Sequence, residues 1–521
     1  MHSPVKKILS LLLSAAILLC TVSLAFALET KKSDIPVIFI KGFVSSATVD
    51  SVRGEQLFPP DGEKILSVVK DSILPVAGSL VTRNYEALRD PMEEILYGIF
   101  DPIRCDENGD PVIASTTSSY VWPNEDEVLA KYSDELGFTA TDPFYYSFDW
   151  RLDLKTLAEE LHSFLKYVTE TAGSETANVI GSSMGACVLV TYMDMYGCEY
   201  LENVAFMSGA FAGASIAGEP MIGNYGFDAE GILTFISGVN GQDLKGEIID
   251  ALVDVLYQQG IVKDLTDVLN NISEYVLKYL TGTSLAMIFG RMPGFWSLVP
   301  AQYYDEAKEN MLPGIVSDEF IEKIDFYHDI QGRVPEILEN AIDTGINVSI
   351  LSKYSMNAIP AVPTQKNLTD MIVDTKYSSL GATCADIDKP FDESYVQAVD
   401  DGHDHLSCDG YIDASTCVFP EYTWFLKNER HTIHPESQLR FLDALFASET
   451  QPTVWDMPEY PQFLVFNASR ELVPLTEETD VSIVRIPEIG ENFLERFRKI
   501  LEDFWKIFKA MFEMMRSKIA Q

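Results

Sequence analysis

Basic residues are scarce in this chain: 38 Lys and Arg stand against 79 Asp and Glu in 521 residues, a formal net charge of −41. A surface so acidic repels phosphate backbones, which argues against a nucleic-acid partner and fits solubility outside the cell. Long apolar runs are missing as well. Beyond the N-terminus no stretch of about 18 or more uncharged apolar residues occurs, so no membrane-spanning helix is expected. There is no internal repeat and no low-complexity linker. Cysteine is limited to seven positions, and none of them has metal-ligand spacing, so neither a metal nor a cofactor is expected.

What is present begins with an export signal. Lys6-Lys7, the apolar run from Ile8 to Leu19 and Ala25-Phe26-Ala27 have the charged, apolar and small-residue order of a secretory signal peptide over residues 1–27. Cys20 follows Leu19, where a lipidated cysteine would need a small residue before it. The six cysteines left in the exported chain, Cys105, Cys187, Cys198, Cys384, Cys408 and Cys417, permit disulfides, with Cys408 and Cys417 the plausible pair. With 47% hydrophobic residues the chain can bury a large core, and one catalytic domain carrying an insert is expected rather than several modules.

Ile35 to Ile40 is a continuous, β-branched apolar run, as befits a strand buried on both faces; it stops at Lys41-Gly42-Phe43, and a loop rich in Ser and Gly follows. Pro143 to Trp150 reads as a strand, Leu154 to Val168 as an amphipathic helix, and Val204 to Met207 as another strand. This alternation predicts a mainly parallel, wound α/β sheet. From 218 to 335 the pattern is helical, including stretches at 244–257 and 265–280, which suggests a cap inserted between core segments 28–217 and 336–450. Ile346 to Leu351 and Tyr422 to Leu426 return to strand character, and Pro435 to Ala447 to helix. Residues 451–486 read as a β-rich tail in which 462–466 and 481–486 form an antiparallel pair. Residues 487–521 form an amphipathic helix with aromatic and basic stripes, able to lie against its own domain, a twin or a lipid interface through 491–519.

The chemistry centres on Gly181-Ser182-Ser183-Met184-Gly185, an apolar strand running at once into a helix. A sharp turn there lifts the Ser183 hydroxyl off the sheet and aims the Met184 amide at an oxyanion, while small glycines let strand and helix close up. A second amide is expected from Phe43, with Val44 next. A serine nucleophile needs a base held by an acid. Only seven histidines exist. His2 leaves with the signal, His162 precedes Ser183, and His328 falls in the cap. Of His403, His405, His431 and His434, the loop-borne His431 after the strand at 422–426 is the expected base. Asp409, ahead of a glycine turn, is the expected acid, with Asp413 the fallback. The His403–His405 pair lies in a polar loop without further ligands placed by spacing.

Pro36-Val-Ile-Phe-Ile-Lys-Gly42, Phe148-Asp-Trp-Arg-Leu152, Gly181-Ser-Ser-Met-Gly185, Met292-Pro-Gly-Phe-Trp-Ser-Leu-Val-Pro300 and Asp409-Gly-Tyr-Ile412 together resemble the ordered landmarks of lecithin–cholesterol acyltransferase-like α/β-hydrolases, over roughly residues 35–447. Ser182 stands where that family usually has His, and Lys41 where it has Pro or His. The resemblance implies an α/β-hydrolase fold, Ser183 as nucleophile, Asp409 as acid and His431 as base. It also implies an acyl ester or lipid substrate, with phospholipase or acyltransferase action as the enzymatic alternative. A non-catalytic binding protein on the same scaffold would instead show a disrupted triad. Phe295 and Trp296 suggest an apolar acyl pocket.

Overall fold

The computed structural model describes residues 35–44, 47–60, 62–117, 144–239, 257–258, 260–387, 389–467 and 469–479. The expected signal segment 1–27, the strand at 481–486 and the helix at 487–521 lie outside the described residues, as does all but the end of the helix at 244–257.

The first buried strand, β1 (Val37–Ile40), lies in a sheet whose other members arrive much later in the chain. Between them the chain makes β2 (Thr48–Asp50), β3 (Gln56–Phe58), α1 (Gly62–Thr82), α2 (Arg89–Phe100) and β4 (Ser115–Thr117). The two helices are an addition to what the sequence pattern suggested beyond the Ser- and Gly-containing loop. Then come β5 (Phe144–Tyr146), α3 (Leu154–Ala172), β6 (Ala177–Ser182), α4 (Met184–Tyr196) and β7 (Leu201–Met207). A helical excursion follows: α5 (Ser215–Met221), α6 (Ala229–Val239), α7 (Ile261–Ile272), α8 (Ala301–Met311) and α9 (Asp318–Asp343). The chain returns through β8 (Asn347–Tyr354), the short β9 (Thr383–Cys384) and β10 (Ile412–Asp413), then β11 (Thr423–Lys427), α10 (Glu436–Phe446), β12 (Phe463–Phe466) and β13 (Leu472–Pro474).

Eight strands form one sheet in the order β13-β12-β11-β8-β7-β6-β1-β5. Every neighbouring pair is parallel except β12 with β13. The architecture is therefore mixed α/β around a mostly parallel sheet. The antiparallel partner of β12 is Leu472–Pro474, not 481–486, and both strands belong to the main sheet rather than to a separate tail.

The sheet is buried on both faces, which explains the continuous apolar runs of β1 (Val37–Ile40) and β12 (Phe463–Phe466). On one face Leu157, Leu161 and Leu165 of α3, Val188 and Tyr192 of α4 and Ile330, Val334 and Leu338 of α9 share a core with Ile38, Val179 and Phe206. Each such Leu contributes about 1.5–3 kcal/mol on burial. α3 is set by its ends: the Asp153 side chain accepts from the Thr156 amide, and Gly173 closes the helix with φ 69°. On the other face Leu439, Leu442 and Leu445 of α10 cover Phe39, Leu351 and Trp424.

The helical excursion after β7 packs against the earlier α1–α2 segment. Leu88 from the α1–α2 segment packs with Val276 and Leu280, which extend the helical line of α7. The cap boundary expected at 335 falls inside α9, a helix that runs through Pro335. Its N-terminal half carries Phe320 and Ile324 into the α8 cluster, and its second half lies on the sheet. No described helix is long and apolar enough to cross a membrane.

Candidate active site

β6 ends at Ser182 and α4 begins at Met184, so Ser183 alone makes the turn, with φ 54° and ψ −125°. A non-glycine residue there is strained and persists only where its surroundings fix it. Three backbone bonds do so: the Ser183 amide donates to Met207 O (3.2 Å), and its carbonyl accepts from the Ala186 (3.1 Å) and Ala210 (3.0 Å) amides. Two glycines allow the close approach. A β-carbon on Gly185 would lie 2.4 Å from Ile40 O, and one on Gly42 would lie 2.7 Å from Ser183 Cβ and 3.1 Å from its Oγ. The Lys41-Gly42-Phe43 turn thus passes directly against Ser183. The Met184 amide opens α4, where N–H groups lack intrahelical acceptors.

His431 lies on the loop after β11, only 8% exposed. Its Nδ1 is 2.7 Å from Asp370 Oδ2, and its backbone amide donates to Asp370 O at 2.9 Å. A carboxylate at Nδ1 makes that nitrogen the N–H donor and leaves Nε2 as the base. Asp370 is fully buried on the loop after β8, and its Oδ1 accepts from the Ile372 (3.1 Å) and Val373 (2.8 Å) amides. Burial by itself would raise this carboxyl. The His431 charge and hydrogen bond and the Val373 amide outweigh it and hold the group below its ordinary value of 3.8. Ser183, Asp370 and His431 each follow the C-terminal end of a strand of the same sheet, β6, β8 and β11, the edge where sites in open parallel sheets usually lie.

The expected acid, Asp409, is elsewhere. Its carboxylate accepts from Lys427 Nζ (2.8 Å) and Tyr354 OH (3.0 Å), so it is a buried structural ion pair and not the partner of His431. Asp413, the fallback, accepts from Tyr395 OH (2.9 Å) and the Ala398 amide (2.8 Å). Asp370 was missed because the Asp-Gly turn at 409 matches the family landmark. The available signal was positional: an acid serving the β11 histidine should follow the strand beside β11, and Thr369-Asp370 does.

The other histidines are occupied. His434 is buried below His431; burial first, then the Lys353 and His431 charges, hold its imidazole well below the ordinary range. His405 places Nδ1 2.8 Å from Gln462 Oε1 and Nε2 2.9 Å from Asp401, and His403 stacks on Trp455. His162 stacks on Tyr196 and His328 on Tyr304. Among the described residues no group of three His, Cys, Asp or Glu is placed to hold a metal ion.

Next to the turn that passes Ser183 stands an aromatic wall. Phe43 meets Trp150 (4.5 Å between centroids) and Phe295 (5.7 Å), and the contact continues through Phe289 to Phe100. Phe43, Phe295, Phe289 and Phe100 are all half-buried. Trp296 is core instead: it is buried and its indole donates to Gly290 O at 2.8 Å. The cysteine pair expected at 408 and 417 is not made. Cys408 is exposed and Cys417 buried.

No protein family matches the chain, and no curated protein matches it. Among solved structures, a chain of the Tle4–Tli4 complex aligns over 61% of this chain and 75% of its own length, at 13% identity and a TM-score of 0.24. A likeness that weak carries no argument about this protein.

Proposed function

We propose that this protein is a serine hydrolase of the α/β-hydrolase type that cleaves carboxylic esters with an apolar acyl group. The observation that carries the proposal is the double attachment of His431 to buried Asp370, through Nδ1 at 2.7 Å and the backbone amide at 2.9 Å, on the same sheet edge as a serine held at φ 54°. Ser183 Oγ attacks the ester carbonyl while His431 Nε2 takes its proton. Asp370 keeps the imidazole in the right tautomer and stabilises the imidazolium. The tetrahedral oxyanion accepts from the Met184 and Phe43 amides. Collapse of the intermediate expels the alcohol, which receives the proton from His431, and water then repeats the sequence on the acyl-enzyme.

The half-buried wall of Phe43, Phe295 and Phe289 supports an apolar acyl group. Export by residues 1–27, contact of 491–519 with a lipid surface, and kinship with the lecithin–cholesterol acyltransferase-like enzymes belong to the same proposal. It is tested by fluorophosphonate labelling of the purified protein with p-nitrophenyl acyl esters assayed in parallel. Labelling and turnover should vanish in Ser183→Ala and His431→Ala. A folded wild-type protein that neither labels nor turns over any ester would leave a binding protein on this scaffold as the better account.

A further inference from the structure

Behind the His431 loop lies a charged side chain that the proposed chemistry does not use. Lys353, near the end of β8, is fully buried. Its Nζ lies 3.0 Å from Arg430 O, 3.4 Å from His431 O, 2.5 Å from Ile433 O and 3.4 Å from His434 Nδ1. An ammonium has three N–H donors and no acceptor, and here it is surrounded by acceptors from one short loop. Burying such a charge costs several kcal/mol unless it is well compensated. A sequence that only needed to fill this space would place an apolar residue there, as the neighbouring Leu351 does on the same strand face.

The compensation is also drawn from the loop. Glu429 is 1% exposed, and its carboxylate feels the Lys353 charge and that of Arg470, whose Nη2 is 3.4 Å away. The loop's other end is tied to the same strand, since the Asn428 amide donates to Tyr354 O at 3.0 Å. Arg430, Glu429, Arg470, His431 and His434 are the charged and titratable groups around the ammonium named by these contacts. Lys353 therefore grips the loop on both sides of His431, while Asp370 grips the imidazole and amide of His431 itself.

We propose that Lys353 is a positioning residue for His431: by binding the carbonyls of residues 430, 431 and 433 it fixes the loop so that the imidazole keeps its place against Asp370. The inference rests on the serine-hydrolase proposal. Lys353 acts through the loop that carries His431, so its loss should slow the chemical step and spare binding.

The test uses the full chain and p-nitrophenyl esters. Lys353→Met should lower kcat at least about tenfold while KM stays within about twofold, the split expected when only transition-state alignment is lost. Lys353→Arg, which retains the cation and its donors, should recover kcat to within about threefold of wild type. The His434 imidazole, followed by NMR, should titrate at higher pH in Lys353→Met, because the cation depressing it is gone. If Lys353→Met does not accumulate as folded protein, Lys353→Gln is judged by the same kcat and KM criteria. A folded Lys353→Met enzyme with wild-type kcat, or a Lys353→Arg enzyme as inactive as Lys353→Met, overturns the inference. Activity that survives Ser183→Ala or His431→Ala overturns the underlying reaction instead, so the two failures are distinct.

Discussion

Asp370 and Asp409 are both buried carboxylates within 3 Å of a nitrogen, yet their partners give them opposite roles. Asp370→Asn should lower kcat by about 10³–10⁴-fold, because an amide at Nδ1 permits the wrong tautomer. Asp409→Asn should leave kcat within about threefold and reduce stability instead, since a buried Lys427 loses its counter-charge. Steady-state kinetics beside denaturant titrations separate the two. The same residues predict behaviour in acid. The folded Asp370 carboxyl lies below 3.8, so the stability it adds is complete above about pH 4 and is lost as pH falls through its depressed value. His434 acts from a higher pH. Its folded imidazole stays neutral well below 6.5, so in that window the unfolded chain takes up a proton that the native protein refuses. Below about pH 6.5 this should cost up to about 1.4 kcal/mol per pH unit. Thermal melts of the wild type and His434→Gln between pH 7 and 5 should converge if the assignment is right.

At the scale of elements, the junction of β6, α4 and β1 depends on glycine for contact distance. Gly185→Ala places a β-carbon 2.4 Å from Ile40 O, which must push α4 off β1, and the expected loss is about 1–3 kcal/mol or more in a thermal or denaturant melt. Gly42→Ala has a different outcome, because its nearest obstacle is Ser183 itself at 2.7 Å; fluorophosphonate labelling should disappear while the far-ultraviolet circular dichroism stays native. The aromatic wall, formed where the 43–44 turn meets the 289–295 segment, predicts chain-length selectivity. Removing a ring that an acyl chain covers forfeits about 1.5–3 kcal/mol. Phe295→Ala should therefore reduce kcat/KM for octanoyl esters by about tenfold or more and hardly alter it for acetyl esters. Equal losses on both substrates would place the acyl chain elsewhere.

For the molecule as a whole, Cys408 is exposed, and Cys408→Ser should change unfolding free energy by less than about 0.5 kcal/mol. The sequence by itself determined the local grammar. An unbroken apolar run such as Val37–Ile40 specifies a strand buried on both faces, and 3.6-residue periodicity specifies α3 and α10, because these patterns depend only on chain geometry and burial. The turn at Ser183 was legible for the same reason, since Gly181, Ser183 and Gly185 meet within one strand–helix junction. Pairings between distant segments were decided only by tertiary structure. Whether Asp370 or Asp409 meets His431 depends on which loop leaves the sheet beside β11, and β8 takes that place only after the helical excursion from α5 to α9. The same holds for Lys353, an unremarkable lysine in the sequence, which becomes the anchor of the His431 loop because β8 and β11 pair in parallel and end together.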